Sequence, residues 1–531
     1  MHSAWRLAES MLTAMARAYD VVVVGAGSAG AIIAARLSET ASRRVLLIEA
    51  GPDYPTLESL PDKLRRGYIT AADILPGDHD WGFIGRATPT AEPMLVPRGK
   101  VTGGSSAVNG EIFLRGIAED FDTWAANGNG LWSFASVLPS YRKLERDLDF
   151  DSAYHGRSGP IPVRRWRPDQ WLAPQTAFYA ACRAAGFPDS PDHNAPGASG
   201  VGAIPLNTVD GVRWSTQLGY LNPNRGRPNL SILPECTATR LVLDAQRAVA
   251  LDVQHANSHS RIEAGEIVLS AGAIGSPHLL MLSGIGPADQ LRAAGVQPAI
   301  DLPGVGQNLR DHPHLYATWQ PAADHSLDAS LPRYQVALRY TAPGSPLRND
   351  MQILMVSFAT GRVDRGGDGL TPVGITLQPV LNLSVGHGQL RLQSPDPGTQ
   401  PIIDFDFLRE AFDRQRLRDS LRMCVELAAH TAFSSVLGRR IAPADETLAS
   451  DAELDDWMAR EVTTTNHLSG TCKMGPPSDP TAVVDQTGRV HGIEGLRIGD
   501  ASIMPDCVRA NTNATAMMIG EHLVNLIQCE M

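Results

Sequence analysis

The stretch YDVVVVGAGSAGAIIAARLSE at residues 19–39 constrains the fold more than any other part of the chain. Four consecutive valines followed at once by glycines predict a buried parallel strand and a tight turn, and the apolar-periodic run after them predicts a helix. The glycines of this turn have separate tasks. In a GxGxxG pattern such as Gly25, Gly27 and Gly30, one permits the bend, one lets backbone approach a pyrophosphate, and one lets the helix pack on the strand. Ser28 and Ala29, between them, open the helix and would turn their amides toward the phosphates. A second strand, RRVLLIEAG, ends in Glu49 and Ala50, with Glu49 24 residues beyond Gly25, suitably placed to accept hydrogen bonds from an adenosine ribose. Strand, turn, helix and acid together predict a dinucleotide site, with NAD and FAD both open.

A second glycine-rich loop, PRGKVTGGSSAVNGEIFLRG (residues 97–116), has the period of neither helix nor strand, and its glycines let backbone come close to a ligand. The GK[ST] ending of a phosphate-binding Walker loop is missing, which disfavours ATP. The chain has 531 residues, enough for two domains or one large composite body, and 46 basic against 57 acidic residues give a net charge of −11. No lysine and arginine run is present to follow a phosphate backbone, so nucleic acid is not an expected partner. Six scattered cysteines without CxxC or CxxH spacing argue against a disulfide framework and a structural zinc site, and fit a reducing cytoplasm. Residues 1–18 read as a short amphipathic extension, since Arg6, Glu9 and Arg17 interrupt any signal-peptide core. No apolar run is long enough to span a bilayer, which leaves peripheral membrane contact open.

The loop at 97–116 and GAIGSPHLLMLSGIG (272–286) together resemble signatures of the glucose-methanol-choline (GMC) flavoprotein oxidoreductases, in particular choline dehydrogenase-like members. The resemblance runs from Tyr19 to about Ile527 and takes in PGVGQNLRDHP (303–313) and GLRIGDASIMPD (495–506). It departs at Thr102, where the family usually carries an aliphatic residue.

The resemblance implies FAD as cofactor. The turn from Gly25 to Gly30 would hold the pyrophosphate, with Glu49 on the ribose. Val101, Gly103, Gly104, Asn109, Gly110, Glu111 and Ile112 would lie along the flavin, Asp500 and Ala501 near the ribityl and pyrophosphate, and Ala238 against the adenine. Some members attach the flavin through a histidine whose counterpart here is Val108, which implies non-covalent FAD.

His467, in NHLSGTCKMG, matches the family's catalytic histidine, and Asn511 matches its partner position, with Asn511 and Thr512 also implied to contact the cofactor. The implied reaction is oxidation of a small alcohol. His467 would act as general base, the substrate carbon would pass a hydride to flavin N5, and Asn511 would orient the hydroxyl. Either O₂ or an electron carrier would receive the electrons. A non-redox enzyme on the same scaffold, such as a hydroxynitrile lyase, is the alternative. No second ligand at metal spacing accompanies His467, so no metal is expected, while His312 and His314 stay unassigned.

The expected architecture is α/β, with a Rossmann-type FAD-binding domain built discontinuously from residues 19–160, 225–312 and 465–531. A sheet-and-helix substrate-binding domain would comprise 161–224 and 313–464. Within it Trp166, Trp171, Met351 and Met355 have two readings, pocket lining or, more commonly, core.

Overall fold

The computed structural model describes residues 19–67, 77–256, 258–362 and 365–530; the extension expected at residues 1–18 lies outside them. Strand β1 (Tyr19–Val24) leads into helix α1 (Gly30–Leu37) and strand β2 (Val45–Ile48). The chain then leaves this sheet for helix α2 (Ala173–Ala184) and strand β3 (Gly200–Ala203). It returns as β4 (Leu230–Leu233), β5 (Cys236–Asp244), β6 (Arg247–His255), β7 (Ser258–Leu269) and helix α3 (Gly272–Leu282). A second excursion forms β8 (Ala317–Pro321), β9 (Tyr334–Tyr340), β10 (Met351–Thr360), β11 (Pro372–Leu381), helix α4 (Ala411–Ala428) and β12 (Leu437–Ala442). Strand β13 (Leu496–Ile498) and helix α5 (Thr512–Cys529) come back to the first sheet.

Five strands of that sheet are parallel in the order β4-β2-β1-β7-β13, with Val21 opposite Val45 and Val24 opposite Leu269. Val21 and Val23 pack with α1 and α5, while Val22 and Val24 face the main core. Both faces of β1 are therefore covered, which is why its sequence is an uninterrupted valine run. A Cβ on Gly30 would lie 2.0 Å from the Gly25 carbonyl oxygen, so only glycine lets α1 start this close to the turn. Strands β5 and β6 and the first half of β7 form an antiparallel extension. The α/β class expected from the opening motif is the one present.

The second sheet is antiparallel, in the order β12-β8-β11-β10-β9-β3. Helices α2 and α4 pack on it. Helix α2 begins later than the helical period suggests: Pro168 lies in a separate single turn, and Pro174 occupies the first turn of α2, where a missing N–H is no loss. Along β10 the side chains alternate. Met351, Ile353 and Met355 are fully buried in the core, whereas Leu354, Val356 and Phe358 line a cavity. Met351 and Met355 are thus core residues. Trp166 and Trp171 also pack against the core, and the Trp171 indole N–H donates to the Trp166 carbonyl.

Among the described residues no helix is long and apolar enough to cross a membrane. All six cysteines are unpaired, and only Cys529 is exposed.

Candidate functional site

A cavity of about 1210 Å³ lies between the C-terminal ends of the parallel strands and the β10 face of the second sheet. Such a crevice is where open parallel sheets bind ligands. Gly25, Gly27, Ser28 and Ala29 form its wall at the end of β1, Glu49 and Ala50 at the end of β2, and Ala238 on β5. Asp500 and Ala501 follow β13, and Gly104, Asn109, Gly110 and Ile112 enter from the second glycine loop.

The two glycine turns meet backbone to backbone: a Cβ on Gly104, whose φ is +51°, would come within 2.6 Å of the Gly27 Cα. The Glu49 carboxylate accepts hydrogen bonds from the amides of Ala26 and Gly51, both at 2.9 Å, and burial pushes its pKa up to about 7. Asp500 accepts from the Gly272 amide at the start of α3 (2.9 Å), from the Ser276 hydroxyl (2.6 Å) and from the Ser502 amide (2.8 Å). Burial raises the proton affinity of Asp500 as well. Ser28 donates to the Asn513 side-chain oxygen at 2.8 Å, while the buried amide nitrogen of Asn513 has no partner among protein atoms. Backbone-lined turns, a helix N-terminus, a strand-end carboxylate and an orphaned amide donor suit an adenine dinucleotide.

Four residues expected at this wall do not line it. Gly30 serves the packing of α1. Val101 is fully buried in a small apolar cluster that also holds Val108. Gly103 donates its amide to the Ala26 carbonyl and so ties the two turns together. Glu111 points its carboxylate at the Gly67 amide (3.0 Å) and toward Arg213, and burial pushes its pKa up to about 7. Thr102, the departure from the family pattern, donates its hydroxyl to Asp53 (2.7 Å) and to the Pro52 carbonyl (3.0 Å).

His467 faces the other end of the cavity beside Asn511 and Thr512. Its loop is held by Asp311, whose carboxylate accepts from the backbone amides of His467 (2.9 Å) and His312 (2.7 Å) and from the hydroxyls of Thr464 and Thr465. Pro313 and His314 pair antiparallel with Thr464 and Thr463, which brings the RDHPH stretch against the loop.

This packing places His312 against His467, with Nδ1 to Nδ1 at 2.9 Å and the rings in a T-shaped arrangement. His312 Nε2 lies 2.9 Å from the Val508 carbonyl, which can only accept, so this nitrogen carries the proton. His312 Nδ1 is then the acceptor, and His467 must donate from Nδ1. That leaves His467 Nε2 unprotonated, 3.0 Å from the Asn511 amide nitrogen. Burial, followed by the neighbouring His312, Arg98 and His314, holds the proton affinity of His467 well below that of an ordinary histidine. Burial likewise takes His312 down to about 4. The result is a neutral imidazole with a lone pair turned to the Asn511 amide.

Sequence reasoning left His312 without a role because 155 residues separate it from His467. The acidic hub Asp311 was missed for the same reason. Among the described residues one group, Glu145, Asp147 and His155, has donors close enough for a metal ion. Arg115 and Arg165 already pair with the two carboxylates. His155 directs Nδ1 at both of them and Nε2 at Asp192 (2.8 Å), so both nitrogens carry protons and its pKa is pushed up to about 10. This is a balanced ion network, apart from the cavity.

The sequence profile described as GMC oxidoreductase matches in two parts, residues 19–314 and residues 384–520. An uncharacterised GMC-type oxidoreductase of Rhodococcus erythropolis is 36% identical over 94% of this chain and 97% of its own length. The mitochondrial choline dehydrogenase of Mus musculus is 34% identical, covering 96% of this chain and 89% of its own. Among solved structures, pyridoxine 4-oxidase from Mesorbium loti superposes with a TM-score of 0.88 at 31% identity, covering 96% of this chain and 99% of that one.

Proposed function

The chain belongs to the GMC oxidoreductase family, and from that premise we propose that it is an FAD-dependent enzyme oxidising the CH–OH group of an alcohol to a carbonyl. The observation that carries this reading is the neutral His467, whose unprotonated Nε2 accepts from the Asn511 amide at 3.0 Å. An alcohol hydroxyl that replaces this contact donates its proton to His467 Nε2 and accepts a hydrogen bond from Asn511 Nδ2.

Gly25, Gly27, Glu49, Gly104 and Asp500 would hold FAD non-covalently, and the flavin would supply a two-electron acceptor for the hydride of the carbinol carbon. The remaining work belongs to the chain. His467 takes the hydroxyl proton at Nε2 while its Nδ1–H stays bonded to His312, whose acceptor nitrogen stabilises the imidazolium as it forms. The burial that keeps His467 unprotonated at rest also makes that proton easy to surrender afterwards. Asn511 keeps the oxygen in place as its charge changes.

Relatives named as dehydrogenase and as oxidase are both similar to this chain. Anaerobic stopped-flow absorbance with a panel of alcohols tests the reading, followed by admission of O₂. Bleaching of the flavin by an alcohol is the expected result, with fast recovery in O₂ marking an oxidase and slow recovery a dehydrogenase. His467→Ala should slow bleaching by about 10²-fold or more with FAD still bound. Near-normal bleaching in that variant would remove His467 from the role of base.

A further inference from the structure

The cavity extends beyond His467 along the β10 face, past Leu354, Val356 and Phe358, and its charges are uneven. Arg98, Arg333, Arg362 and Arg365 line this end. Among the described residues the lining carboxylates are three. Glu49 and Asp500 are held by backbone amides at the cofactor end, and Glu461 lies 4.0 Å from Arg362 and 3.9 Å from Arg365.

Arg333 differs from the others. It is 8% exposed, its guanidinium stands 5.0 Å over the Phe358 ring, and its side chain makes no hydrogen bond or ion pair with the described residues. Its stem is buried while its guanidinium opens on the cavity, and a cation held in a cavity wall with no protein anion among the described residues points to a ligand that supplies the charge. A guanidinium fork matches a carboxylate or phosphate.

The register locates Arg333 relative to the reacting end. The Arg333 carbonyl accepts from the Ser357 amide on β10, whereas His314, which pairs with Thr463 near His467, stands across β11 from Gln352. Five residues of strand separate the two levels, about 17 Å at roughly 3.3 Å per residue. Leu354, Val356 and Phe358 make most of the intervening wall apolar, with Gln378, opposite Leu354, and Thr318 as polar points along it.

We propose that the substrate is an amphipathic alcohol whose apolar body ends in an anionic group, a carboxylate or a phosphate, received by Arg333. The choice of hydroxyl as the reacting group rests on the alcohol-oxidation reading above; the anion site does not. A quaternary ammonium alcohol such as choline meets the wrong sign of charge here, so the chain's specificity parts from that of the relative named choline dehydrogenase.

Calorimetric titration of the FAD-loaded enzyme with decanoate, decyl phosphate, decanamide and decyltrimethylammonium tests the site without requiring turnover. At least one of the two anions should bind about tenfold or more tightly than the amide and the cation, which corresponds to one charge-assisted hydrogen-bonded pair. Whichever anion is tighter identifies the source of the charge. Arg333→Met, with FAD content and spectrum checked, should abolish that preference, and Arg333→Lys should restore part of it. Equal or tighter binding of the cation, or a preference that survives in Arg333→Met, would overturn the proposal. Anaerobic mixing with ω-hydroxydecanoate then judges the other reading alone: anion binding without flavin bleaching leaves the Arg333 site standing and counts against alcohol oxidation.

Discussion

At the scale of single residues, the protonation of His467 is decided by its neighbour. His312 gives its Nε2 proton to the Val508 carbonyl and so obliges His467 to donate from Nδ1. His312→Phe removes that acceptor and frees His467 to adopt the tautomer with a blocked Nε2. The maximal rate of flavin reduction should fall by about tenfold or more, with KM little changed, while His312→Gln, which keeps an acceptor oxygen, should recover much of it. A merely structural role for His312 would leave the pH profile alone. In the wild type the active form of His467 is neutral and its proton affinity is depressed. The rate should therefore stay level as pH falls through 6.5 and decline only in more acid solution. Loss of the His312 acceptor removes the bond that steadies the imidazolium, so in His312→Phe the acid limb should move to still lower pH. A profile centred near 6.5 in the wild type would contradict the assigned environment.

At the scale of elements, the strand–turn–helix opening was legible because its signals are adjacent. Val21 to Gly30 form one continuous pattern, and Glu49 ends the very next strand. The histidine pair was illegible because it depends on Pro313 and His314 pairing with Thr463 and Thr464, a contact between distant segments that no local period encodes. Arg333 was hidden similarly, since one arginine before a strand carries no mark of which wall it joins. That the Glu111 carboxylate turns to the Gly67 amide rather than to the cavity was not legible, because sequence places a residue on a loop without saying to which side its side chain points.

Glu49 supports a test at this scale. Its carboxylate is buried with a pKa pushed up to about 7, and ribose hydroxyls donating to it would favour the ionised form. Cofactor binding would then release a proton, and FAD affinity should weaken as pH falls below about 7, by at most about tenfold per pH unit. Fluorescence titration of apoprotein with FAD between pH 5 and pH 8 measures this. A flat profile, or Glu49→Ala retaining FAD fully, would take Glu49 out of the ribose site.

At the scale of the whole molecule, helices α1 and α5, from opposite ends of the described chain, are joined through a buried charge. Glu521 on α5 is fully buried, and accepts from Arg36 on α1 at 2.8 Å and from the Tyr220 hydroxyl at 2.6 Å, with Lys143 at 3.0 Å. Glu521→Gln removes the buried charge that Arg36 and Lys143 share, leaving Arg36 only its outer pair with Glu39, and should destabilise the fold by about 2 kcal/mol, read as a lower urea midpoint of the FAD-loaded protein. An unchanged midpoint would mean that the apolar contacts of α5 suffice to hold it.

The parallel sheet also has a timetable. Strand β13, which pairs with the C-terminal end of β7, emerges about 230 residues after it, and Asp500, His467 and Asn511 come with or near it. At about 5–20 residues per second, a ribosome leaves that edge of β7 unpaired for about 10–45 s. During that interval a row of backbone donors and acceptors is open to other nascent chains. The cofactor can be enclosed only after this delay, so its supply bears on the final stage of biogenesis, when a nearly complete polypeptide still lacks the group its cavity is shaped to hold.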